Sequence, residues 1–221
     1  MSRVTIFAGH YGSGKTNISA NYALKLHAEG KEVAIADLDI VNPYFRSKDA
    51  KEMMESKGIR FISSPYANSN VDTPALPADA YSITADRSRY AVVDVGGDDR
   101  GALALGRYVP DILAEDDYEM LFVINKFRPL TADVSGTLEV MQEIETACGM
   151  KFTGIVNNSN LGEDTTPDDV TGSVSYADSI AEATGLPIKM TTVSAKLYDE
   201  LESKINNLMP LNLYIRQSWQ K

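Results

Sequence analysis

A segment near the start of the chain combines three glycines with a lysine and a threonine. Residues 9–16 read Gly-His-Tyr-Gly-Ser-Gly-Lys-Thr and match the pattern G-x-x-x-x-G-K-[ST] in full. In this pattern the glycines let backbone N–H groups face a phosphate, the lysine reaches the β- and γ-phosphates, and the threonine hydroxyl binds Mg²⁺. The segment therefore predicts a site for a nucleoside triphosphate and Mg²⁺. The residues expected to contact the nucleotide here are Gly9, Gly12, Ser13, Gly14, Lys15, Thr16 and Asn17.

Acidic residues and glycines follow two later apolar runs, where they would complete such a site. Asp94 is expected to hold Mg²⁺ directly or through water. Asp37 and Asp39 are two residues apart, so at the end of a strand their side chains point the same way. One of them can support the metal while the other orients water. Gly96 and Gly97 would let a backbone amide approach the γ-phosphate, in a loop that relaxes when that phosphate is lost.

Short β-branched runs alternate with helix-patterned stretches along the chain. The runs predict strands at residues 4–7, 33–36, 60–62, 91–93, 121–124, 154–156 and 187–190, and the stretches predict helices at 15–29, 44–57, 131–147, 173–184 and 195–208. Most of the runs are continuous, as in parallel strands that are covered on both faces. The order predicts an α/β fold, a three-layer P-loop NTPase sandwich with a central, mostly parallel sheet and helices on both faces. Ligands of such sheets bind at the carboxyl ends of the strands, which is where the polar residues above lie.

Length and composition limit the kinds of protein that fit. The 221 residues predict one domain spanning 1–221, and 43% hydrophobic with 24% charged residues is ordinary for a globular chain. The net charge of -10 makes nucleic acid and anionic membranes unlikely partners. The first apolar stretch is too short for a secretory signal, so a cytoplasmic location is expected. Cys148 is the single cysteine, which excludes an internal disulfide and a Cys-x-x-Cys metal site, and it is expected to be buried and inert.

Together the motifs resemble the MinD/ParA-type P-loop ATPases, within the CobQ/CobB/MinD/ParA nucleotide-binding domain family. The resemblance rests on residues 9–16, on D-x-D-x-x-N-P at residues 37–43 and on D-x-G-G at residues 94–97. It implies that Asp39 positions the attacking water, that Asp37 lies near Mg²⁺ and that Asn42 is the asparagine that follows. The catalytic residues implied are Lys15, Asp37 and Asp39, and the metal ligands are Thr16, Asp37 and Asp94. The family also implies an ATP-hydrolysing switch, a nucleotide-dependent homodimer and a protein partner.

One position departs from the family's loop. The family often reads K-G-G-x-G-K-T, and its early lysine reaches the nucleotide of the partner in a dimer. This chain has His10 at that position and Tyr11 where a glycine is usual. Three interpretations stay open: His10 supplies a weaker, pH-dependent cation, an arginine such as Arg46 or Arg100 serves instead, or His10 only packs at the mouth of the loop.

The sequence favours adenine over guanine as the base. Guanine-specific P-loop proteins use N-K-x-D, in which the aspartate accepts hydrogen bonds from guanine, but residues 125–128 read Asn-Lys-Phe-Arg. By the family resemblance, Asn158 matches an asparagine beside adenine, where an amide can pair with a purine edge. Asn157 is the alternative for this role. The expected ligands are therefore ATP or ADP with Mg²⁺.

Two other functions stay open at this point. One is an ATP-dependent small-molecule ligase or kinase resembling dethiobiotin synthetase, whose substrate would lie against residues 64–80. The other is a GTPase metallochaperone, although the chain lacks the guanine-binding aspartate and a Cys/His cluster. Residues 64–80 and the acidic residues 157–170 are expected to be loops near the site that either bind a partner or are simply solvated. The tail at 211–221 is expected to dock on the domain instead of binding a membrane.

Overall fold

The computed structural model describes residues 1–39, 48–63, 82–97 and 99–214, and their strands form one parallel sheet. The strands are β1 (Val4–Ala8), β2 (Val33–Asp37), β3 (Arg60–Ser63), β4 (Tyr90–Asp94), β5 (Tyr118–Ile124), β6 (Gly154–Asn157), β7 (Ile188–Ser194) and β8 (Leu208–Leu211). Their order across the sheet is β3-β2-β4-β1-β5-β6-β7-β8. Every pairing is parallel, so all the described strands end at the same edge.

Helices cover both faces of this sheet. They are α1 (Lys15–Ala28), α2 (Lys48–Ser56), α3 (Ser82–Ala85), α4 (Asp99–Gly106), α5 (Val109–Glu115), α6 (Val134–Cys148), α7 (Pro167–Gly172), α8 (Val174–Thr184) and α9 (Tyr198–Leu201). Neighbouring residues of a strand face opposite sides, so Phe7 belongs to a hydrophobic cluster with residues of α1 and α2, while Ile6 belongs to one with residues of α4, α6 and α8. The two hydrophobic clusters that result confirm the predicted three-layer α/β fold. Among the described helices, none is both long and apolar enough to cross a bilayer.

Each predicted strand is present, but the end of the chain differs from the prediction. The helix expected over 195–208 is wrong for most of its length: a 3₁₀ turn at Ala195–Leu197 leads into the four residues of α9, and β8 begins at Leu208. β8 contains Pro210, which lacks an N–H for a ladder. The strand lies last in the described order and pairs with β7 alone, where an edge position tolerates proline.

The register of the central strands sets the positions of the site. Asp94 lies at the end of β4 and is the register partner of Asp37 on β2 and of Phe7 on β1. One residue beyond Phe7, β1 ends and the chain turns into residues 9–14. The two strand-end aspartates therefore lie side by side next to the glycine-rich segment, with Asp94 on the strand adjacent to β1 and Asp37 one strand further out.

Candidate nucleotide-binding site

The glycine-rich segment connects β1 to α1, as its motif predicts, and we call residues 9–16 the P-loop. Gly12 has φ 76° and Gly14 has φ 94°, in the left-handed region that favours glycine. Gly14 occupies the N-cap of α1, and no side chain caps the helix there. The N–H groups of the first turn, including those of Lys15, Thr16 and Asn17, thus form an uncapped helix N-terminus, which suits an anion such as phosphate.

Lys15 lies over the P-loop itself. Its side chain is buried, and Nζ donates hydrogen bonds to the carbonyl oxygens of Gly9 at 2.9 Å and His10 at 3.0 Å. An added Cβ on Gly9 would collide with the carbonyl oxygen of Val123 on β5, so only glycine lets the loop pass this close to the sheet. The ammonium is therefore held against the first two residues of the segment that would surround a phosphate.

Asp94 and Thr16, two predicted metal ligands, lie side by side. The Asp94 carboxylate is buried and accepts hydrogen bonds from the hydroxyls of Thr16 and Ser19, the latter at 3.5 Å. Burial raises the pKa of Asp94 to about 7, against the hydrogen bond from Thr16 and the charge of Lys15, which lower it, while the charge of Asp39 adds to the increase. A cation close to Asp94 would therefore strongly stabilise the ionised form of this carboxylate.

The other predicted acidic residues lie at the same edge of the sheet. Asp37 is buried, and its Oδ1 accepts a hydrogen bond from the backbone N–H of Asp39 at 2.9 Å. Among the described residues, no group of three His, Cys, Asp or Glu side chains is arranged to hold a metal ion by itself. This donor set fits Mg²⁺, which usually takes one or two protein carboxylates and completes its coordination with phosphates and water.

The two glycines after β4 pack directly against neighbouring backbone. A Cβ added to Gly97 would lie 2.5 Å from the backbone nitrogen of Tyr11 and 2.6 Å from its Cα. A Cβ added to Gly96 would lie 3.3 Å from the Cα of Asp39 and 3.1 Å from that of Gly101. The structure thus brings the predicted Gly96 and Gly97 against the P-loop and the residue expected to position water.

Asn158 also reaches the P-loop, but through the backbone of the loop. Its Nδ2 donates a 2.6 Å hydrogen bond to the carbonyl oxygen of Ser13, and its Oδ1 accepts one of 2.6 Å from the Thr192 hydroxyl. Asn157 is fully buried, and its amide contacts Ser173 and Ser159. Both polar atoms of each asparagine are engaged by the protein, and contact with a base stays a prediction.

The structure helps to decide which residue could replace the missing signature lysine. Burial lowers the pKa of His10 below its ordinary 6.5, which favours the neutral imidazole and weakens the interpretation of His10 as a cation. Arg46 and the side chain of Arg100 lie outside the described residues, as do Asn42 and the segment 64–80. Arg128, which sequence reasoning considered only for the base, has its Nε 2.9 Å from the Gly12 carbonyl oxygen and places a positive charge at the P-loop.

The acidic segment at 157–170 is not a single loop. It contains the end of β6, a 3₁₀ turn at Gly162–Asp164 and the start of α7. Asp169 and Thr166 form a reciprocal capping box at the start of this helix, and the hydrogen bonds from Thr166 lower the pKa of Asp169. One of these acidic residues, Asp169, therefore stabilises the start of α7. Cys148 is buried as expected, and burial raises the pKa of its thiol.

Comparison with known proteins identifies the family. The model of the CobQ/CobB/MinD/ParA nucleotide binding domain matches residues 4–186, which include the P-loop and every residue of the site described so far except Thr192. The chain belongs to this family. No curated protein sequence matches the chain.

Solved structures similar to this family member support the fold. Cell division protein FtsY of Thermotoga maritima is 24% identical with a TM-score of 0.59, over 86% of this chain and 61% of that one. Chloroplast FtsY of Physcomitrella patens is 18% identical with a TM-score of 0.60, over 86% and 58%. The 54 kDa signal recognition particle protein of Aeropyrum pernix, solved in complex with GDP, is 16% identical with a TM-score of 0.54, over 85% and 40%. The chain therefore spans about three fifths of the FtsY chains and less of the third, and the likeness extends to the fold alone.

Proposed function

We propose that this protein is a Mg²⁺-dependent ATP-binding and ATP-hydrolysing switch of the MinD/ParA type. In this proposal two copies bind each other around ATP, hydrolysis separates them, and the cycle acts on a protein partner in the cytoplasm. The observation that carries the proposal is the contact of Gly97 with the P-loop backbone at Tyr11. A loop packed this closely at the phosphate site must respond when a γ-phosphate enters or leaves.

The described residues suit phosphoryl transfer by positioning and charge neutralisation. Lys15 and the N-terminus of α1 would bind the β- and γ-phosphates. Thr16, Asp37 and Asp94 would hold Mg²⁺, which neutralises phosphate charge when it is bound. Asp39, whose backbone lies beside Gly96, would orient the attacking water.

The choice of ATP rests on the segment that follows β5. In guanine-specific loops an aspartate accepts from the base, whereas here Arg128 occupies that position and contacts Gly12. GTP is the second candidate because the amide of Asn158, expected beside adenine, is engaged by Ser13 and Thr192. Titration of the Mg²⁺-loaded protein with fluorescent ATP and GTP analogues distinguishes the two, and tighter binding of GTP would contradict the proposed base.

The matched variants for this titration are Lys15→Ala and Lys25→Ala. Both lysines lie on α1, but Lys25 is exposed near the opposite end of the helix and far from the P-loop. Lys15→Ala should abolish detectable nucleotide binding, since it removes the cation over the loop, while Lys25→Ala should bind as the wild type does. Equal binding by both variants would refute the P-loop assignment.

The molecular mass in solution tests whether the bound nucleotide controls dimerisation. Asp39→Ala protein should bind ATP without hydrolysing it, so light scattering after size exclusion should show a dimer with Mg²⁺–ATP and a monomer with ADP. A monomer in both states would contradict the switch and favour the small-molecule ligase or kinase. A dimer with both ATP and ADP would contradict nucleotide-controlled association.

A further inference from the structure

A short series of buried hydrogen bonds connects β7 to the P-loop, and we call it the Asn158 bridge. The hydroxyl of Thr192 donates to Oδ1 of Asn158, and Nδ2 of Asn158 donates to the carbonyl oxygen of Ser13, both at 2.6 Å. Thr192 is 2% and Asn158 4% exposed, so solvent does not compete for these bonds. The three residues come from β7, from the end of β6 and from the P-loop.

The bridge holds the Asn158 amide in one orientation. Its oxygen faces a donor and its NH₂ group faces an acceptor; a rotated amide would place two oxygens, that of Asn158 and that of Ser13, against each other. The Thr192 hydroxyl has a longer contact of 3.4 Å with the Asn157 carbonyl oxygen. The bond to Asn158 is thus the shorter of its two, and it selects the orientation that Ser13 requires.

The bonded carbonyl determines the direction of an adjacent N–H group. The peptide between Ser13 and Gly14 is trans, so its C=O and N–H point in opposite directions. With the Ser13 oxygen held by Asn158, the Gly14 N–H points away from Asn158. Backbone N–H groups at this part of a P-loop cradle the α- and β-phosphates.

The bridge also explains why residue 14 is glycine. A Cβ at this position would collide with Nδ2 of Asn158, and the positive φ of 94° adds backbone strain for any larger residue. The Asn158 amide thus fills the space that a side chain at residue 14 would need.

We propose that Asn158 and Thr192 are positioning residues for nucleotide binding, which hold the Ser13–Gly14 peptide so that its N–H group meets the β-phosphate. This inference rests on the proposed function, since it requires a nucleotide in the P-loop. It assigns Asn158 a role at the phosphate end of the ligand, through one of the two N–H groups of its amide. It also adds Thr192, which lies outside the P-loop and follows it by more than 170 residues.

The test replaces the Thr192 hydroxyl with a methyl group of the same shape. Thr192→Val leaves Asn158 free to rotate, and we expect fluorescent ADP and GDP analogues to bind about tenfold more weakly, by equal factors. Pyrophosphate, which has no base, should lose the same factor when it displaces the analogue. Thr192→Ser keeps the donor and should restore binding to within about twofold.

Thr191→Val is the matched control. Thr191 is also buried on β7, but strand alternation directs it to the other face, away from Asn158. It should bind all three probes as the wild type does. Should Thr192→Val fail to fold, Asn158→Ala replaces it in the same titration. Its affinity for nucleotide and for pyrophosphate should fall by the same factor.

The outcomes separate the bridge from the proposed function. If Thr192→Val changes the preference between ADP and GDP while pyrophosphate binds normally, Asn158 reads the base and the bridge assignment is overturned. Unchanged binding of all probes overturns it as well. A wild-type protein that binds neither nucleotide nor pyrophosphate refutes the proposed function, and the bridge as a nucleotide-positioning device fails with it.

Discussion

Replacement of Gly97 by alanine would test whether its contact with the P-loop matters for hydrolysis. The added Cβ would lie 2.5 Å from the backbone nitrogen of Tyr11, whereas ordinary contacts begin at 3.4 Å, so the two loops must separate by about 0.9 Å. Backbone atoms cannot rotate aside as a side chain can. We expect overpacking to lower the free energy of unfolding by about 1–3 kcal/mol. A displacement of about 1 Å at reacting groups can reduce the rate by about a hundredfold, which is the loss expected for ATP hydrolysis.

The assay compares three proteins for steady-state phosphate release, ADP affinity and melting temperature. Gly97→Ala should lose hydrolysis while its ADP affinity stays within about threefold, because Lys15 and the N-terminus of α1 are unchanged. Gly172→Ala is the control: this glycine ends α7, and nothing lies within 4 Å of an added Cβ. Hydrolysis at the wild-type rate by Gly97→Ala would refute the idea that the working site needs these loops in contact.

Two further predictions concern charges at the site. Burial raises the pKa of Asp94 from its ordinary 3.8 to about 7, so without Mg²⁺ or nucleotide the folded state keeps a proton that the unfolded state releases. The stability measured by chemical unfolding in EDTA should therefore fall as the pH rises through that window and level off above it; Asp94→Asn should reduce this slope, and equal slopes would contradict the assignment. Arg128→Ala should weaken ATP binding about three- to tenfold at low ionic strength, because it removes an exposed cation beside Gly12, and Arg128→Lys should recover part of it. An unchanged affinity in a salt titration of Arg128→Ala would show that this charge does not reach the phosphates.

Local patterns in the sequence were sufficient for most of the fold. Continuous β-branched runs predicted the first seven strands, since a strand buried on both faces needs apolar residues on both. The same logic failed at the end of the chain. Leu208–Leu211 forms an edge strand although it contains Pro210, and the predicted helix over 195–208 gives way to a few short turns. There the pairing with β7 decides the structure, and a local pattern carries no information about a distant partner.

The sequence by itself determined which segment forms the glycine-rich turn before α1 and which acidic residues lie next to it. Gly9, Gly14, Lys15 and Thr16 must be adjacent in the chain to wrap one phosphate, and Asp37 and Asp94 follow recognisable strands, so all of them can be read from spacing. The contacts of Gly97, Arg128 and Asn158 were decided by the tertiary structure. These residues meet the P-loop from three other strand ends, and only the order of strands in the sheet brings those ends together. A residue type can predict that a side chain donates a hydrogen bond, but the fold selects whether the acceptor is a base or a loop carbonyl.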